Sequence, residues 1–146
     1  MSVSSLLSLT HLVGLALAVG AATVKVVLLL QCRADPSFVP AFVKISRLVT
    51  RQIVLGLVLL TLSGIAWLLR GYPLTALLIA KLVLVAAVWV LGPIIDKVAE
   101  PRFMRLAPAP GQAVSAEFTR ARKHYLALEI TATSLFYVVI LLWVLG

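Results

Sequence analysis

Acidic residues, histidines and cysteines are scarce in this sequence. Five Asp and Glu residues stand against 13 Lys and Arg residues, and the chain has two His and one Cys. A single cysteine excludes an intrachain disulfide, and two histidines cannot form the multi-histidine cluster that soft-metal capture favours. Charged residues make up 12% of the chain and hydrophobic residues 62%. So much apolar surface cannot be hidden inside a soluble domain of this size, and the sequence therefore predicts a membrane protein.

Uninterrupted hydrophobic runs occupy most of the chain. They cover residues 6–30, 53–69, 74–95 and 124–145. A helix needs about 20 apolar residues to cross a bilayer, whereas the strands of a membrane barrel alternate apolar and polar residues. We therefore predict an all-α fold in which four antiparallel transmembrane helices form one domain over residues 1–146. The first run has no basic segment before it, which indicates a retained span rather than a cleaved signal peptide.

Basic residues are concentrated in two predicted loops, 32–51 and 97–123. Because basic residues in short loops stay in the cytoplasm, this pattern predicts cytoplasmic loops and both termini on the outside, as in a protein of the bacterial inner membrane. The net charge of +8 is typical of a surface that faces anionic lipid headgroups, and it does not indicate nucleic acid.

Local signals predict how the spans are connected. Phe38, Phe42 and their basic neighbours have the spacing of a helix that lies in the headgroup region before the second span. The sequence Gly71-Tyr72-Pro73 predicts a tight turn that makes the second and third spans antiparallel neighbours. Pro93 should loosen the third span near its cytoplasmic end, and Ser115 should cap the fourth helix.

Four titratable residues lie within the hydrophobic runs, where charge is costly and usually faces the interior of a bundle. With a rise of about 1.5 Å per residue, Lys25 and Glu129 fall at the same depth in the inner half of the membrane. The sequence therefore predicts a structural salt bridge between Lys25 and Glu129. Two alternatives are a pair that gates a cytoplasmic cavity in a small carrier and a lysine that extends to the interface.

The other two titratable residues, His11 and Lys81, fall in the outer half. A neutral imidazole is a common ligand of haem iron, copper and zinc, which makes His11 the candidate metal ligand. The alternative is a helix histidine that is satisfied by a neighbouring hydroxyl or carbonyl group. A stripe of small residues that includes Gly14 and Ala18 joins His11 to Lys25, and this stripe should face the bundle.

This layout resembles the HemJ-type protoporphyrinogen oxidases and the CopD-like membrane proteins. The segments that carry the resemblance are His11 to Gly14, Ser46 to Leu48, Ala80 to Val85 and Tyr125 to Glu129. It implies haem b, with His11 as iron ligand, Gly14 beside the cofactor and Lys81 as the catalytic companion of His11. Glu129 matches the family's fourth-span Asn-Glu motif, although Leu128 stands in place of the Asn.

The expected function is thus that of a haem-b or porphyrin-binding redox membrane protein. One alternative is a non-catalytic accessory subunit of a larger membrane complex, with other membrane subunits or further copies of this chain as partners. The remaining alternatives are a small carrier and a copper-handling protein, and copper is the less favoured metal because the sequence has no Met-rich or multi-His cluster.

Overall fold

The computed structural model describes residues 2–145, which form long helices and contain no strand. The helices are α1 (Val3–Ala34), α2 (Val39–Leu69), α3 (Ala76–Ile94), α4 (Glu100–Leu106) and α5 (Ala116–Val144). A 3-10 turn at Pro36–Phe38 precedes α2, and a π-helical turn at Ile95–Ala99 joins α3 to α4 without a break. Four helical segments are long and apolar enough to cross a bilayer, namely Val3–Ala34, Pro36–Leu69, Ala76–Leu106 and Ala116–Val144. The predicted all-α membrane bundle is confirmed, and the protein is a multi-pass membrane protein.

Short polar side chains cap the starts of α1, α3 and α5. The Ser115 hydroxyl accepts a hydrogen bond from the Phe118 amide at 3.0 Å, which confirms the predicted cap of α5. Asp35, between α1 and the 3-10 turn, accepts from the Ser37 amide at 2.9 Å. Hydrogen bonding by Ser37 holds the pKa of this carboxyl below its usual range, because it stabilises the charged form. The Gly71 backbone has a φ of 83°, which a side chain would disfavour, and it completes the predicted turn after α2.

The helix α1 packs against both α2 and α5. The third span, α3, packs mainly on α5 rather than on α2, although only a short turn separates it from α2. One hydrogen bond between them runs from the Trp89 indole to the Thr61 hydroxyl at 3.0 Å. The two spans are joined by the predicted turn, and a cleft bordered by residues of both, among them Val54 and Trp89, lies between them.

Small residues allow α1 and α2 to approach very closely. A methyl group built at Gly14 would lie 2.9 Å from both the Gly56 carbonyl oxygen and the Leu60 nitrogen. A methyl group at Gly56 would lie 2.6 Å from the Gly14 carbonyl oxygen and would overlap the Ala18 backbone. The predicted stripe of small residues therefore does face the bundle, and it sets the distance between these two helices.

Aromatic packing extends the bundle at the end where α1 and α4 finish and α2 and α5 begin. We call this the basic end. Phe42 is fully buried there, and its ring lies edge-on to Phe103, with the centroids 5.6 Å apart. The Phe103 ring in turn lies 5.3 Å from that of Tyr125.

The two segments predicted as loops are therefore largely helical. Residues 39–49 are the first turns of α2 rather than a separate helix in the headgroups, because Phe42 is held in this aromatic core. The segment 97–123 contains α4 and the start of α5, so that only residues 107–115 connect them.

The third span changes pitch where the sequence predicts a loosened helix. The five residues Ile95–Ala99, just after Pro93, form a π-helical turn, in which the backbone bonds reach one residue further than in an α-helix. Proline removes an amide donor and crowds the preceding turn, which disfavours regular α-helical geometry at this point. The wider turn changes which residues of the following α4 face the bundle.

Candidate functional site

A buried lysine at the centre of the bundle contacts two buried glutamates. Lys25 on α1 is 1% exposed, and its Nζ lies 2.8 Å from Glu100 Oε2 and 2.8 Å from Glu129 Oε1. The same ammonium donates a hydrogen bond to the Thr50 hydroxyl at 2.7 Å. Four helices thus meet at one cation, because Thr50, Glu100 and Glu129 belong to α2, α4 and α5. We call Lys25, Ser46, Thr50, Glu100 and Glu129 the Lys25 cluster.

Within this cluster Glu100 is fully provided with hydrogen-bond donors. The Ser46 hydroxyl donates to Glu100 Oε1 at 2.6 Å, and the Thr50 hydroxyl donates to Oε2 at 3.3 Å while it accepts from Lys25. Ser46 and Thr50 lie one turn apart on α2 and present the same face to α4. Such charge-assisted bonds stabilise the ionised form of a buried carboxylate.

The second carboxylate, Glu129, is less well satisfied. Its Oε1 lies 2.8 Å from the ammonium of Lys25, but without the alignment of a hydrogen bond, and no other described group donates to it. Two hydroxyls on the same face of α5, those of Tyr125 and Thr133, are also buried and have no hydrogen-bond partner among residues 2–145. The Tyr125 hydroxyl faces both carboxylates but lacks hydrogen-bond geometry to either.

A face of α5 thus carries three buried oxygen atoms without a hydrogen-bond partner among residues 2–145, at positions 125, 129 and 133. Unsatisfied buried polar groups are rare in native proteins and are a common sign of a bound water, ion or proton. The polar atoms at these three positions are all oxygens, in two hydroxyl groups and one carboxyl group.

The charges of the cluster do not balance. One ammonium faces two carboxylates, and each of the three side chains is at most 4% exposed. An uncompensated buried charge costs several kcal/mol, so a group in such a place takes up a proton or a counter-ion instead. Since the ammonium already contacts both carboxylates and repels metal cations, a proton is the species that balances the cluster best.

A cleft between α2 and the third span leads to this cluster. Its inner part, about 170 Å³, is bordered by Lys25 and Glu129 and otherwise mainly by apolar side chains such as Trp89 and Phe136. Its outer part, about 830 Å³, is bordered by Glu100 and by charged residues of the basic end. Thr50, Val54 and Asp96 border both parts, which makes them sections of one cleft.

The contact predicted between Lys25 and Glu129 is present in this cluster. Sequence analysis missed Glu100, because it lies beyond the hydrophobic run and the chain there was predicted to be a loop. It also assigned no role to Ser46 or Thr50. The spacing of these two hydroxyls, four residues apart and just before the second run, is a signal that could have identified the inward face of α2.

In the opposite half of the bundle, His11 is bonded to a hydroxyl group. His11 Nδ1 lies 2.8 Å from Ser63 Oγ. The Ser63 hydroxyl has one proton, which it directs to the Leu59 carbonyl at 2.6 Å, with the Leu60 carbonyl at 3.1 Å. With the hydroxyl proton so directed, a neutral imidazole donates from Nδ1, and its Nε2 keeps the free electron pair that a metal ligand needs.

Gly14 and Lys81, the other residues of the expected haem site, form no hydrogen bond or ion pair with His11. Gly14 packs against the α2 backbone, which leaves no space for a cofactor on that face. Lys81 is half-buried on α3, and neither a hydrogen bond nor an ion pair joins it to any residue between 2 and 145. No group of three or more His, Cys, Asp or Glu side chains that could hold a metal ion exists within that range. The residues of the expected haem site thus provide one axial ligand for the iron, His11.

Comparisons of the chain with protein-family models, with curated proteins and with solved structures find no match.

Proposed function

We propose that the protein is a small membrane carrier whose transport of a solute is coupled to protonation of the Lys25 cluster. The observation that carries this proposal is the buried contact of one ammonium with two carboxylates, at 2.8 Å each. Ionisable groups inside membrane proteins commonly serve as proton relays in pumps and transporters, because their charge state determines which conformation is stable.

The two carboxylates have different roles in this proposal. Glu100 accepts from Ser46, Thr50 and Lys25 and so remains ionised as the permanent partner of the ammonium. Glu129 has only the unaligned contact with Lys25 and borders the inner cleft, so it is the proton acceptor. Protonation of Glu129 leaves one ammonium and one carboxylate, which is the neutral state that a low-dielectric interior favours.

The inner cleft supplies a place for the solute. Its volume of about 170 Å³ and its mainly apolar wall fit a small, largely apolar solute that contacts Glu129 with one polar group. In the same proposal the basic end faces the cytoplasm of a bacterial cell, and both termini lie on the opposite side of the inner membrane. This orientation agrees with the positions of the basic residues.

Infrared spectroscopy of the purified protein tests the proton site. At neutral pH we expect the carbonyl band of a buried protonated carboxylic acid, shifted in heavy water and absent in Glu129→Gln. Glu117→Gln is the matched control, because Glu117 is an exposed glutamate in the first turn of the same helix. A spectrum that lacks such a band, or a band that persists in Glu129→Gln, contradicts the proposal.

Proton uptake by vesicles separates a transport role from a structural one. With a pH-sensitive dye inside the vesicles, we expect Glu129→Gln to reduce uptake after an acid pulse by at least about tenfold, as the loss of an essential proton-transfer group does. If Glu129→Gln takes up protons at the wild-type rate, the pair is only structural and the carrier proposal is wrong.

A second candidate function rests on a separate observation, the free Nε2 of His11. We propose that His11 is an axial ligand of haem b, which would supply one-electron redox chemistry, while the Ser63 hydroxyl fixes the ring through Nδ1. An absorption spectrum of protein expressed with added haem precursor tests this. We expect a Soret band that is lost in His11→Ala and kept in His124→Ala, because His124 lies at the basic end of α5. Colourless wild-type protein after haem reconstitution excludes this function and leaves the carrier proposal intact.

A further inference from the structure

The outer cleft between α2 and the third span carries charges of both signs that are unused by the Lys25 cluster. Arg47 and Arg51 border it from α2, and Asp96 borders it from the π-helical turn. All three are exposed, and no ion pair engages any of them within the part of the chain that the structure describes. Two guanidinium groups and one carboxylate thus face the same space without neutralising one another.

The cleft becomes apolar along α2, away from the basic end. After Arg47 and Arg51, the residues that border it are Val54, Leu55 and Val58. Val54 and Leu55 are each 48% exposed, so the cleft is open at its side and not only at the basic end. In a bilayer this opening faces the lipid, with the arginines at headgroup level and the aliphatic side chains at the level of the acyl chains.

We infer that the outer cleft binds a phospholipid whose headgroup carries both a phosphate and a primary ammonium. Arginine is the residue best suited to bind phosphate, because its planar guanidinium donates two parallel hydrogen bonds. Arg47 and Arg51 lie one turn apart on α2 and can hold the same phosphate. Asp96, on the opposite wall, would pair with the ammonium, and the aliphatic residues would contact an acyl chain.

Charge complementarity selects this occupant over other lipids. An anionic headgroup without an amine would satisfy the arginines but leave Asp96 without a cationic partner, and a quaternary ammonium could not donate hydrogen bonds to the carboxylate. The cleft volume of about 830 Å³ lies within the range of specific small-molecule sites and accommodates a headgroup with the first part of its chains. This inference does not depend on the carrier proposal.

Native mass spectrometry from bilayer discs of equal parts phosphatidylethanolamine, phosphatidylcholine and phosphatidylglycerol tests the inference. We expect the wild type to retain phosphatidylethanolamine in preference to the other two lipids. The variant with Arg47→Gln and Arg51→Gln should lose retention of all three by at least about tenfold, since each charge-assisted bond to phosphate is worth that much. Asp96→Asn should keep phospholipid binding but lose the preference for the primary amine.

The matched control removes two arginines from the same end of the bundle but outside the cleft. Arg33→Gln with Arg120→Gln alters α1 and α5 at exposed positions, and we expect wild-type retention. Three results each overturn the inference: equal loss in this control, retention of phosphatidylglycerol as strong as that of phosphatidylethanolamine, or lipid adducts that free phosphoethanolamine displaces completely. Circular dichroism of every variant checks that the helices remain, and Asp96→Asn is decisive even if the double arginine variant fails to fold.

Discussion

Replacing Lys25 with methionine is expected to lower the free energy of unfolding by about 3–5 kcal/mol, because removal of one partner leaves buried charge uncompensated. Methionine keeps most of the volume and the flexible stem of lysine, so the change tests the charge rather than the packing. The effect should appear as a large fall in the midpoint of SDS-induced unfolding from mild detergent, followed by circular dichroism.

Two further variants make this result specific. Lys44→Met removes an exposed lysine of α2 at the basic end. Its free energy of unfolding should stay within about 0.5 kcal/mol of the wild-type value, as for most surface changes. Combining Lys25→Met with Glu100→Gln and Glu129→Gln removes the charges together, which typically restores stability. If Lys25→Met is no more harmful than Lys44→Met, the cluster does not hold the helices together.

Replacing Gly56 with alanine is expected to separate α1 from α2 at their closest contact. The added methyl group would overlap the backbone of Ala18 and lie 2.6 Å from the Gly14 carbonyl oxygen. Backbone atoms cannot rotate away as a side chain can, so we expect the upper end of the usual cost of overpacking, about 3 kcal/mol or more. The same unfolding measurement reports this loss, and cross-linking between cysteines placed on α1 and α2 reports the wider separation.

Gly64 on the same helix provides the control for Gly56. A methyl group built there meets no atom within 4 Å. Because alanine is the better helix former, Gly64→Ala should raise stability by up to about 1 kcal/mol. The two glycines are eight residues apart on one helix. If alanine lowers stability at Gly56 and raises it at Gly64, the contact with α1, and not the loss of glycine itself, determines the result. Equal effects at both positions contradict the close approach of the two helices.

The main architecture could be predicted because the bilayer imposes it. Long apolar runs can only be helices, and counting residues along antiparallel helices brings Lys25 and Glu129 to one depth. The same counting failed for Glu100, which lies past the apolar run, on a helix whose register is altered by a π-helical turn. Sequence identifies Pro93 as the cause of a disturbance but does not indicate whether the helix kinks, ends or widens there.

The sequence predicts where the helices lie along the chain better than how they pack against one another. A short turn after Leu69 brings the ends of α2 and α3 together, yet α3 packs mainly on α5. The packing of neighbouring helices depends on the side chains along their whole length, and a cleft lies between α2 and α3 although the Trp89 indole reaches the Thr61 hydroxyl. For His11, sequence left metal ligation and a hydroxyl partner as alternatives, and the bond to Ser63 is compatible with both.

The π-helical turn at Ile95–Ala99 has a consequence for chains of similar hydropathy. The wider turn takes up about one extra residue, and one residue corresponds to about 100° of rotation in an α-helix. A chain of the same length with a regular α-helix between Pro93 and Glu100 would therefore direct the glutamate away from Lys25. Its hydropathy profile would hardly change. Two such chains would be indistinguishable by span prediction, yet only one of them would carry a second acid at the centre of the bundle.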